Sequence, residues 1–196
     1  MYVLTDQITE TVTATAYPVS LVEAKAHLRV DISDDDTLIT SMIAAATDFC
    51  EAYTGRSFVP RTYRADLRGF YFGNLPKRPI ISISSVKYYD TGSPETLTTW
   101  AATNYQLVND ILYWTEAASI PAYAYRADAI QITYTAGYAP TSSPEDPAES
   151  VPTAIKAAIL MIIGDLYENR EAKITGLMQT ENYTVMMLLS SYRVYQ

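Results

Sequence analysis

DDDTLITSMIAAATDFCEAYTGRSF, residues Asp34–Phe58, is the stretch whose period decides the fold of this chain. Leu38, Ile39, Met42, Ile43, Ala46, Phe49, Cys50 and Tyr53 recur at steps of three and four. Such spacing puts apolar side chains on one stripe of an α-helix, which must be buried against other elements. Asp34, Asp35 and Asp36 precede the stripe, where the positive end of a helix dipole favours negative charge and where Asp is a preferred cap. Thr54-Gly55 closes the segment, because glycine readily takes the left-handed conformation just past a helix end.

Upstream, PVSLVEAKAHL (Pro18–Leu28) predicts a shorter helix. Ser20 is its expected N-cap, and Glu23 three residues on completes a capping box. Leu21, Ala24 and Leu28 share a face, and the helix should end before Val30.

Downstream, from Pro60, the period falls from about 3.6 to 2. Tyr63, Ala65 and Leu67 alternate with Arg64, Asp66 and Arg68. Ile81 and Ile83 alternate, then Val86 and Tyr88 continue one residue out of phase. The slip at Ser84-Ser85 predicts a β-bulge. Tyr105–Val108 and Ile111–Trp114 flank Asn109-Asp110, a two-residue hairpin turn. Ile130, Ile132 and Tyr134 alternate again. Residues 60–140 are therefore expected to form an inserted, mostly antiparallel β region.

Thr141–Ser150, TSSPEDPAES, has loop composition. The helical period then returns. Pro152 suits a first turn. Ile155, Ile159, Ile162, Ile163 and Leu166 form a stripe, which Arg170 joins one turn on. After Gly176, a last helix carries Val185, Leu188, Leu189 and Tyr192. The expected fold is α+β: mainly an α-helical bundle of about four helices with the antiparallel β region inserted. Residues 1–59 hold the N-terminal helices, and 141–196 the C-terminal helices that complete the same domain.

Composition bounds the function. The chain has 196 residues and is 48% hydrophobic, enough for a real core. Its 17 tyrosines suit protein interfaces, and equally a strand-rich composition. The net charge is −8, with only 14 Lys and Arg. That argues against a phosphate-binding stripe and sequence-specific nucleic-acid binding. An acidic surface can still face DNA that must slide past. A single Cys allows no intramolecular disulfide and fits a reducing compartment. Residues 1–16 lack the basic start and apolar block of a secretory signal. The longest apolar run, Ala157–Gly164, falls far short of the roughly 20 residues that span a bilayer. A soluble protein with no membrane partner is expected.

No motif for chemistry emerges. His27 is the sole histidine, and no spacing pairs it with a nucleophile and an orienting group. Cys50 falls on an apolar stripe, the place of a buried inert thiol. VDISDDD lacks the central Gly and distant Glu of a calcium loop, and helix capping accounts for its acids. There is no glycine-rich phosphate loop and no G-x-S-x-G elbow. One Cys and one His are too few for a Cys/His-rich zinc site. Catalytic residues, cofactors and metals are expected to be absent.

LYENREAK, Leu166–Lys173, follows one of the most apolar runs in the chain and is dense in charge. Arg170 either snorkels, its stem on the core and its head on the last carbonyls, or pairs with a carboxylate across a contact.

PVSLVEAKAHLRVD (Pro18–Asp31) and DDDTLITSMIAAATDFCEAYTGRSF (Asp34–Phe58) resemble the N-terminal half of the head–tail connector proteins of tailed phages. VPTAIKAAILMIIGDLYENREA (Val151–Ala172) is similar to their third-helix region. RPIISISSVKYYD and ITYTAGY resemble the inserted β segment of longer members. The resemblance implies a structural adaptor without catalysis. It implies a ring of about twelve copies, following the symmetry of the portal. The ring would sit between the portal and a tail or stopper protein in the virion and leave a DNA channel, with DNA passing unbound. The single chain can stay monomeric until the portal recruits it. On this resemblance Tyr167, Glu168 and Arg170 are the expected subunit-interface residues. Two other functions compete with the adaptor: another virion neck or baseplate protein, and a small hydrolase using His27 or a carboxylate pair.

Overall fold

The computed structural model describes residues 8–14, 16–71, 73–139, 150–169 and 183–194. The chain divides into two compact units. A β unit combines residues 1–14 with 60–139 and Gln196, and a helical unit combines residues 15–59 with 140–195.

The helical unit contains α1 (Leu21–Leu28), α2 (Asp36–Thr54), α3 (Thr153–Glu168) and α4 (Tyr183–Ser190). α2 packs on the other three. α1 starts at Ser20, whose hydroxyl accepts from the Glu23 backbone N–H while the Glu23 carboxylate accepts from the Ser20 N–H. It stops at Arg29, which is left-handed at φ 58°. α2 ends at Gly55, φ 71°, whose N–H bonds the Glu51 carbonyl. These ends match the sequence signals. The N-terminus of α2 does not: Asp35 stands at the cap position, but its side chain makes no cap hydrogen bond. Asp36 instead meets Lys25 Nζ at 2.6 Å.

The buried face of α2 is Ile39, Met42, Ile43, Ala46, Thr47, Cys50, Glu51 and Thr54. Phe49, expected inside, is 46% exposed. Polar residues replace it because each is satisfied locally. The Thr47 hydroxyl donates to the Ile43 carbonyl, and that of Thr54 to the Cys50 carbonyl, both at 2.7 Å. Buried Glu51 Oε1 accepts the Phe58 N–H at 2.8 Å. On α3 the buried stripe is Ile155, Ala158, Ile159 and Ile163, with Leu166 left outside it. Val185 and Leu189 are the buried side chains of α4.

Among the described residues the β unit holds eight strands: β1 (Ile8–Val12), β2 (Arg61–Leu67), β3 (Gly73–Asn74), β4 (Ile80–Tyr89), β5 (Leu97–Trp100), β6 (Tyr105–Val108), β7 (Ile111–Trp114) and β8 (Ile130–Ala136). One antiparallel sheet runs β1-β2-β8-β4-β5 and a smaller one β3-β7-β6. Tyr63, Ala65 and Leu67 on β2, and Ile130, Ile132 and Tyr134 on β8, are buried as their alternation predicts. The β4–β8 register shifts between Ile83 and Ser85, the expected bulge, and again between Ile80 and Ser82. Asn109 and Asp110 both have positive φ, 50° and 65°, as a type I′ hairpin turn requires. Asp110 Oδ1 also accepts the Ile80 N–H at 2.7 Å. One cluster of buried side chains joins the two sheets, with Phe70 edge-on to Trp100 and Trp114 at 4.7 and 5.8 Å.

The expectation of a mainly helical protein is corrected: among the described residues strands are as abundant as helices, and the fold is α+β without a helical majority. The N-terminal segment supplies β1, and β3 and β5 add pairing that alternation did not reveal. β1 shows no alternation because only Ile8 is partly covered on this edge strand.

Candidate subunit interface

The end of α3 shows how the charged stretch after the apolar helix is used. Asn169 terminates the helix: its N–H and its side-chain amide both donate to the Asp165 carbonyl, at 3.0 and 3.1 Å. Two residues earlier, the Tyr167 hydroxyl donates to Asp35 Oδ2 at 2.6 Å. The acid expected to cap α2 thus receives a phenol from α3, beside the Lys25–Asp36 ion pair from α1. Glu168 is exposed. Arg170 lies outside the described residues. Of the three expected interface residues, Tyr167 is fastened within its own chain and Glu168 is free to meet solvent or a neighbour.

The candidates for chemistry are not assembled. His27 lies against α3, its Nε2 3.6 Å from where a Cβ on Gly164 would stand, an ordinary contact distance. Cys50 is buried, and desolvation, reinforced by the neighbouring Glu51 charge, pushes its thiol up to about 12. The thiolate needed for nucleophilic attack is suppressed at neutral pH. Among the described residues, no three His, Cys, Asp or Glu side chains gather as a metal site. No described helix is long and apolar enough to cross a membrane.

A surface feature of the β unit escaped sequence analysis. The excursion between β7 and β8, residues 115–129, presents Ile120, Tyr123 and Tyr125, and Tyr125 is fully exposed at 104%. Its sequence, SIPAYAYRAD, has neither strand nor helix period, so pattern reading had nothing to grip. The available signal was three large apolar residues in a loop, where polar residues are the norm.

The comparisons with known proteins bear on the whole chain. No curated protein sequence matches it. A sequence model of the family described as "Phage gp6-like head-tail connector protein" matches residues 18–106. Among solved structures, the fold is similar to a chain from "Virion of native gene transfer agent (GTA) particle", TM-score 0.75 and 20% identity. It is also similar to chains from "Neck of empty GTA particle computed with C6 symmetry", TM-score 0.72 and 21% identity, and "Neck of native GTA particle computed with C12 symmetry", TM-score 0.71 and 23% identity. Each match covers 96% of this chain and 96% of the other. At that identity they show a shared fold. The resemblance read from the residues is thereby borne out: over residues 18–106 this chain matches the phage gp6-like head–tail connector proteins.

Proposed function

We propose that the chain is a structural head–tail connector of a tailed phage or phage-like particle, one subunit of a ring between portal and tail or stopper. The family match over residues 18–106 carries this proposal. The fold shared with particle and neck chains over nearly the full length supports it. Each subunit contacts two neighbours through different patches, the heterologous arrangement that closes a ring. About twelve copies would match a twelve-fold portal, as in the gene transfer agent neck computed with C12 symmetry. The role is mechanical rather than catalytic, consistent with the suppressed Cys50 thiol. DNA passes through the ring without specific binding, and the excess of acidic residues disfavours adhesion to the wall. No membrane takes part.

The end of α3 supplies one patch for a neighbour, through Glu168 and Arg170, with Tyr167 holding that end in place by its bond to Asp35. Electron microscopy of the purified protein mixed with the portal protein of the same genome tests the function. A ring at the tail-facing end of the portal is expected. Absence of association would point instead to another neck or baseplate part.

A further inference from the structure

Charge is divided unequally between the two units. The helical unit carries fourteen acidic against seven basic residues, and the β unit eight against seven. Two helical units brought face to face repel each other, while the nearly neutral β unit can approach a second copy at little electrostatic cost. A foreign partner with a basic surface would be drawn to the helical unit instead. If the end of α3 supplies one patch of a heterologous contact, its complement is therefore best sought on the β unit.

That unit offers a built anchor. Tyr125 is wholly exposed, yet the residues on both sides of it are fixed. Ala124 is buried, and its N–H donates to the Tyr89 carbonyl at 2.9 Å. Arg126 donates from Nε and Nη2 to the two Asp128 oxygens at 2.6 and 2.9 Å, and from Nη1 to Glu95 at 3.1 Å. Its guanidinium lies 3.6 Å over the Tyr89 ring. Tyr123 stands edge-on to Phe70 at 5.6 Å, and the Trp100 indole N–H holds the Ser119 carbonyl at 3.2 Å. A single aromatic held out on a braced loop loses little backbone entropy on binding, the condition that makes tyrosine a hot spot.

We propose that Tyr125 is an anchor of the contact between successive copies of this chain, inserting into the next subunit, with Ile120 exposed on the same loop. This rests on the ring-forming connector function proposed above. The test compares wild type, Tyr125→Phe and Tyr125→Ala, each mixed with portal across a concentration series and imaged for complete rings. All three should share one circular-dichroism spectrum, since the side chain touches nothing that folds the monomer. Wild type and Tyr125→Phe should close rings alike. Tyr125→Ala should need about ten-fold more protein or more, the scale of losing a hot-spot aromatic. Rings from Tyr125→Ala at the wild-type concentration would overturn the assignment while leaving the connector function intact. So would a variant that oligomerises normally but no longer docks, because the loop would then belong to the portal contact. Failure of the wild type itself to form rings would remove both.

Discussion

Tyr167 and Asp35 are 132 residues apart in sequence and share a 2.6 Å hydrogen bond that ties the last turn of α3 to the start of α2. A hydrogen bond to a charged acceptor contributes about 1.5–3 kcal/mol, toward the lower end when part-buried as here. Tyr167→Phe is expected to lower unfolding free energy by about 1–2 kcal/mol in urea titration of the monomer. Ring formation on the portal should persist, because the hydroxyl is used inside the chain. A variant as stable as wild type would show that Tyr167 serves another contact.

The capping box of α1 links stability to acid. Burial alone would raise the Glu23 pKa, but the Ser20 N–H and hydroxyl and the Lys156 ammonium outweigh it and hold the carboxyl below its ordinary 4.5. A depressed carboxyl stabilises the fold above its unfolded pKa, and that contribution is lost as pH falls below 4.5 through the folded value. Ser20→Ala should cost about 1 kcal/mol at pH 7, the usual value of an N-cap. The gap between wild type and Ser20→Ala should narrow at pH 3, measured by thermal unfolding. A gap independent of pH would detach Glu23 from the cap.

Cys50 should be inert in the native protein. With the thiol near 12, labelling by an aromatic disulfide reagent at pH 8 should track unfolding and become rapid only in denaturant. Stoichiometric labelling within seconds under native conditions would contradict the buried position.

Glu51 is a buried carboxylate serving the turn after α2, where Oε1 accepts the Phe58 N–H. Glu51→Leu keeps bulk but leaves that donor unmet, and should destabilise by about 1–3 kcal/mol. Glu51→Gln retains an accepting oxygen and should cost less. Equal losses in the two variants would mean that the negative charge, rather than the hydrogen bond, is what matters.

Arg170 distinguishes a pair from a snorkelling side chain. If it meets a carboxylate across a buried subunit contact, Arg170→Ala should weaken assembly by about 3–5 kcal/mol. An exposed head would lose roughly 0–1 kcal/mol. Ring titration against portal separates the two.

Several elements were legible because one physical signal dominates each. Ser20 and Glu23 announce α1 by reciprocal backbone satisfaction. Asn109-Asp110 announces the hairpin because both positions need positive φ. Strands β2 and β8 have one face of Tyr63, Ala65 and Leu67 or Ile130, Ile132 and Tyr134 covered, so the period of two survives in sequence. Legibility failed where polar groups satisfy themselves. Thr47, Glu51 and Thr54 look like solvent residues, but their hydrogen bonds permit burial, which turns Phe49 outward. Edge strand β1 gave no warning, since its partner β2 lies about fifty residues away and little of it is covered. The pattern marks Asp35 as a cap, because sequence cannot show a phenol arriving from α3. Tyr125 was one tyrosine of 17, and only its exposure singles it out.

Arg61 at the start of β2 is directly opposite Ala136 at the end of β8. The long insert therefore departs and returns at neighbouring points, and α2 and α3 can pack although about a hundred residues separate them. The order of synthesis follows. At about 5–20 residues per second, α2 leaves the ribosome several seconds before α3. The part of its apolar side that α3 and α4 cover must wait, exposed, while the β unit completes itself. A nascent chain stalled near residue 145 should thus recruit a holdase chaperone, and release it once α3 has emerged.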